Sequence, residues 1–124
     1  MLYGIAAHSM LTGVGLILQP DWLIAFGGWP PVSDPFFPAQ GGVFHVLMAM
    51  VYATAARRVD SRPFLLPLII FVKSMAAVFL VGYYYFVDDV WLVLFSGIFD
   101  GGMAVLVLFV QQGWWPGSVR STDA

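Results

Sequence analysis

Four apolar stretches of near-bilayer length constrain this chain more than any other feature of its 124 residues. They run over residues 2–18, 41–56, 64–86 and 91–111. A helix crossing a bilayer needs about 20 apolar residues, with a working range of about 17 to 25. The last two stretches fit this range. The first two are slightly short, and the first gives only about 25 Å of helix at about 1.5 Å per residue. Composition points the same way, since 60% of the chain is hydrophobic and 10% charged. An ordinary soluble domain carries roughly 25% charged residues. A water-soluble fold of this size would leave large apolar patches exposed, and lipid as solvent removes that cost. The expected fold is all-α: one transmembrane domain, an integral membrane four-helix bundle with an aromatic, Pro-rich outer segment.

The basic residues set an orientation. Arg57, Arg58 and Arg62 lie between the second and third spans, and Arg120 lies in the tail over 112–124. The connection over 19–40 carries Asp21 and Asp34 without Lys or Arg, and the last turn carries Asp88 and Asp89. The positive-inside rule then places both termini in the cytoplasm and both acidic connections outside. The N-terminus lacks a basic region ahead of its apolar run, and His8 interrupts that run, so no cleaved signal peptide is expected. The 19–40 connection contains Pro20, Pro30, Pro31, Pro35 and Pro38 with Trp22, Trp29, Phe36 and Phe37. Its prolines forbid a long helix, and its aromatic rings suit the headgroup region. It reads as an interfacial segment or partner surface, with one helical turn over Trp22 to Phe26. Trp91 and Tyr83 to Tyr85 extend the outer aromatic belt, and Trp114 and Trp115 supply the inner one.

Several chemistries drop out. There is no cysteine, and the seven acidic residues are all Asp. Disulfides, thiolate catalysis and cysteine-held zinc or iron–sulfur centres are therefore excluded. No phosphate-binding glycine loop, HExxH or nucleophile–base motif is present, and no basic stripe suggests nucleic acid. No catalytic residue is assigned.

Attention then falls on the four ionisable residues inside the spans: His8, His45, Lys73 and Asp100. A charge at the bilayer centre costs about 2.5 to 3.5 kcal/mol on insertion scales, so each needs a partner or a wet cavity. Counting from the cytoplasmic end puts His8 about 10 Å deep, Lys73 about 14 Å, and His45 and Asp100 about 16 Å. Four such residues at similar depth on four helices imply one polar centre. Small residues share their faces: Gly4, Thr12 and Gly15 near His8; Gly41, Ala49 and Ala56 near His45; Ala76 and Ala77 near Lys73; Ser96, Gly97 and Ala104 near Asp100, with Gly97 and Gly101 forming a small-xxx-small pair. Such stripes let helices approach closely, with Gly97, Gly101, Gly41 and Ala76 as the packing positions.

Lys73 and Asp100 lie on consecutive antiparallel helices within about 3 Å in depth, close enough for an ion pair or a relay. The histidines read as packing residues, proton carriers or ligands. Bis-His haem ligation wants both at one level, and they differ by about 6 Å. A metal on His8, His45 and Asp100 would be repelled by Lys73, so no metal is assigned.

The stretch from Gln40 to Leu108 resembles the small bacterial four-helix membrane proteins called DoxX-like, with the BphX-like proteins close by. The residues carrying the resemblance are Gly41–Gly42, the Ala55–Arg58 stop, Lys73, and Phe99–Gly102. The resemblance implies a four-helix membrane protein and, for some relatives, quinone-linked redox chemistry. Weighing these, the expected role is a non-catalytic accessory or assembly subunit of a larger membrane complex, without a cofactor. The alternatives are a DoxX-like quinone-linked or proton-handling protein, with quinone or haem as ligand, and a homo-oligomeric exporter of small solutes. A transport path usually needs polar residues along the whole depth, and here they cluster at one level.

Overall fold

The computed structural model describes residues 1–58 and 64–112, and among them the regular structure is entirely helical. The helices are α1 (Leu2–Leu18), α2 (Asp21–Gly27), α3 (Phe36–Arg58), α4 (Leu65–Phe86) and α5 (Trp91–Gln111). Three of them, α3, α4 and α5, are long and apolar enough to cross a membrane. The 17-residue α1 and the short α2 meet at a bend of 112° and qualify only as a broken pair. Arg62, Trp114, Trp115 and Arg120 lie outside the described residues.

Two antiparallel helix pairs make up the fold: α1 against α3, and α4 against α5. The first pair crosses where two glycines meet. A Cβ on Gly42 would stand 2.6 Å from the Gly13 carbonyl oxygen, and one on Gly13 would stand 2.7 Å from the Gly42 carbonyl oxygen. Gly97 brings α5 onto α4, where an added Cβ would stand 3.0 Å from Leu80 Cβ and 3.2 Å from the Val81 nitrogen. Removing the side chain at a crossing lets backbones approach, which lipid-phase helices exploit in place of hydrophobic burial.

The pairs touch each other more sparingly. At the end holding the α3 C-terminus they share an apolar cluster that includes Ile5, Tyr52, Ala55, Ile69, Met103 and Val107. At the other end α2 bridges them. Its Phe26 meets the Trp91 ring edge-on at 5.3 Å, and Trp91 Nε1 donates to the Phe26 carbonyl at 3.1 Å. The outward surface stays apolar: Phe71, Phe79, Phe95 and Phe109 are all exposed. In water that surface would be a liability, and in lipid it is already solvated.

The second long helix starts five residues earlier than the sequence suggests, at Phe36 in place of Gly41. Pro38 falls in the first turn, where a missing N–H costs little because N–H groups there have no acceptor within the helix. Asp34 Oδ1 accepts the Phe36 N–H at 3.0 Å, and the Pro35 carbonyl accepts the Ala39 N–H. Phe36 and Phe37 therefore open α3 and do not lie in a surface loop. The expected turn over Trp22 to Phe26 is the core of α2, which ends at Gly28 in the left-handed region (φ 87°). Pro67 is likewise absorbed in the first turn of α4.

A candidate polar centre between the helix pairs

The buried faces of α4 and α5 set the site. On α4 the buried positions are Leu65, Ile69 and Lys73, each one helical turn from the last. On α5 they include Val93, Gly97, Asp100, Met103 and Val107. A spacing of three or four residues keeps all of these on one side of a helix. Lys73 and Asp100 thus occupy inward positions that would otherwise hold aliphatic side chains. Lys73 Nζ donates to Asp100 Oδ1 at 2.6 Å, with 2% and 5% of the two side chains accessible.

Tyr52 of α3 completes the enclosure. It is 1% exposed, and its ring centroid lies 5.4 Å from Lys73 Nζ, within cation–π range. Sequence reasoning did not single it out. Tyr52 lies two helical turns beyond His45, and an aromatic residue in an apolar run carries no signal distinguishing inward from outward.

His45 also faces the centre. With Tyr52, Lys73, Ala76 and Asp100 it lines a cleft of about 160 Å³ between α3 and α4, walled otherwise by Phe44, Met48 and Val72. The His8 ring lies 4.7 Å from that of Phe99, the neighbour of Asp100 on α5. Its Nδ1 is buried without a hydrogen-bond partner, as is the hydroxyl of its neighbour Ser9. The structure therefore brings Lys73 and Asp100 into contact and His45 to the same cleft, with His8 adjoining through Phe99. No group of three or more His, Asp or Glu is arranged to hold a metal ion among the described residues.

The packing positions divide. Gly97 makes a close contact, and Gly101 faces Ala77 at ordinary van der Waals range, 3.5 Å for an added Cβ. Gly41 faces open space, and the close approach on α3 belongs to its neighbour Gly42. Ala76 lines the cleft. On α1 the buried face runs Ile5, Ser9, Gly13, one position round from the one containing His8 and Thr12. Thr12 satisfies its hydroxyl on the His8 carbonyl at 3.0 Å and so needs no partner helix. Of the aromatic outer residues, Trp22, Phe36 and Phe37 are exposed, and Trp29 is half-buried.

Chemically, the centre can hold a charge pair away from water. Ligand pockets usually measure about 300 to 1,000 Å³, and this cleft of about 160 Å³ lies below that range. Of the known family models, curated proteins and solved structures, none matches this chain.

Proposed function

We propose that this is an integral membrane protein with four spans, both termini in the cytoplasm, serving as a non-catalytic accessory subunit of a larger bacterial membrane complex. The observation carrying this reading is the Lys73–Asp100 pair, which is closed on itself at 2.6 Å beneath a cleft of about 160 Å³. A buried pair of this kind is suited to fixing how helices pack. The sidedness has its own support. Arg57 and Arg58 end α3 at one end of the helices, and Asp21, Asp34, Asp88 and Asp89 lie near the other. The exposed apolar sides of both helix pairs supply the lateral surface that a membrane partner would cover.

The experiment is purification of the tagged chain from its native membranes in mild detergent. Larger membrane proteins should co-elute in stoichiometric amount, and should still do so with Lys73→Met and Asp100→Leu combined. A chain that elutes alone with extractable quinone or a haem spectrum overturns the accessory reading. So does loss of an assayed activity in the paired variant while the fold persists.

A further inference from the structure

A second concavity lies at the aspartate-rich end, away from the polar centre. The end of α1, α2 and the Pro-rich loop enclose an outward-open pocket of about 630 Å³, inside the size range of small-molecule sites. Ile17, Ile24 and Val32 contribute apolar wall, Trp29 an aromatic face, and Gln19 and Asp21 the polar side chains. The walls are tied in place. Gln19 Nε2 donates to the Pro35 carbonyl at 3.0 Å, closing the loop against the end of α1. Gly27 lies directly beneath the Trp29 ring, where any Cβ would collide with it, so the missing side chain sets the ring's position.

The electrostatics select the ligand's sign. No Lys or Arg occurs between residues 19 and 40 or between 87 and 90, and Asp21, Asp34, Asp88 and Asp89 gather at this end. An anion would find no cation to pair with. An ammonium group would find the Asp21 carboxylate and the Trp29 ring, the two kinds of group that stabilise a positive charge in a mostly apolar pocket. We infer that this pocket binds an organic ammonium group joined to an apolar body. Lipid headgroups carrying an amine and free amphiphilic amines share that chemistry. The inference is independent of the accessory role and stands or falls separately from it.

The test uses the full-length protein in maltoside micelles with benzyltriethylammonium as probe and benzenesulfonate as its anionic counterpart. The ammonium probe should bind saturably and the sulfonate should not. Asp21→Asn should weaken binding roughly three- to fivefold, as expected for one partly exposed charge contact. Asp88→Asn, at the same end but outside the pocket, should weaken binding less than Asp21→Asn does. Trp29→Leu should remove the binding-linked change in tryptophan fluorescence. Competition by phosphatidylethanolamine, but not phosphatidylglycerol, supports the ammonium site with a lipid headgroup as its source. Probe binding indifferent to both lipids supports it with a free amine. Equal binding of the sulfonate, absence of saturable binding, or an Asp21→Asn variant that melts and binds like the parent overturns it.

Discussion

Lys73 and Asp100 show how one residue can be expensive alone and inexpensive as half of a pair. Lys73→Met leaves a buried carboxylate without its cation, and breaking a buried pair in this way costs about 3 to 5 kcal/mol. Adding Asp100→Leu removes the orphaned charge. The double variant should recover most of that loss, because apolar replacement of a whole buried pair is often neutral or stabilising by about 1 to 4 kcal/mol. Thermal unfolding of the two singles and the double forms a cycle that measures the coupling, and a double variant as unstable as either single would contradict the packing role. The four ionisable residues themselves were legible in the sequence, because a polar group stands out in an apolar run. The position of Tyr52 over Lys73 was not, since an inward tyrosine and an interfacial tyrosine look alike in an apolar string. Ser9 was missed for a related reason: a small hydroxyl residue fits either a lipid-facing or a packed position.

At the scale of the helix, hydropathy locates spans and is silent on faces. All four long helices are apolar around most of their circumference, so no polar side reveals by contrast which side is buried. His8 and Thr12 suggested one face of α1, and the crossing uses the face with Ser9 and Gly13. Steric chemistry then makes neighbouring glycines behave oppositely. Gly42→Ala places a methyl group against the Gly13 carbonyl and must push α1 from α3, with an expected loss of about 1 to 3 kcal/mol, the usual cost of overpacking. Gly41→Ala meets open space and should be neutral or stabilising by about 0.5 to 1 kcal/mol through helix propensity. Equal effects at the two positions in a denaturation series would rule out the Gly13–Gly42 crossing. The start of α3 carries a separate prediction. Asp34 accepts the Phe36 N–H, so Asp34→Ala should cost about 1 kcal/mol in the manner of a lost helix cap. Faster amide exchange at Phe36 and its neighbours, with the middle of α3 unaffected, would register it. The prolines misled the boundary because a proline ends a helix in its interior and is harmless in its first turn.

For the whole molecule, sidedness and assembly follow from where the charges and the bulky apolar groups sit. Among the described residues, Asp21, Asp34, Asp88 and Asp89 lie toward one end of the helices and Arg57 and Arg58 toward the other, with an apolar exterior between them. Two tightly crossed pairs that meet through one apolar cluster, the Tyr52–Lys73 ring contact and the α2 bridge are held more closely within each pair than between them. The glycine crossings hold each pair by backbone proximity, whereas the contact between pairs depends on side chains that can repack. A partner gripping both pairs would therefore add most where the fold itself adds least, along the α3–α4 seam. Such a partner can reach that seam only from within the bilayer, so the orientation of the spans must be established first. The absence of native cysteine makes this direct. Ser33→Cys and Val87→Cys, both at exposed positions of the aspartate-rich end, should react with a membrane-impermeant maleimide added to intact cells stripped of their outer envelope. Gln112→Cys, exposed at the other end, should react only after the membrane is opened. Labelling of Gln112→Cys from outside, or protection of either outer position, would reverse the topology or reduce the number of spans.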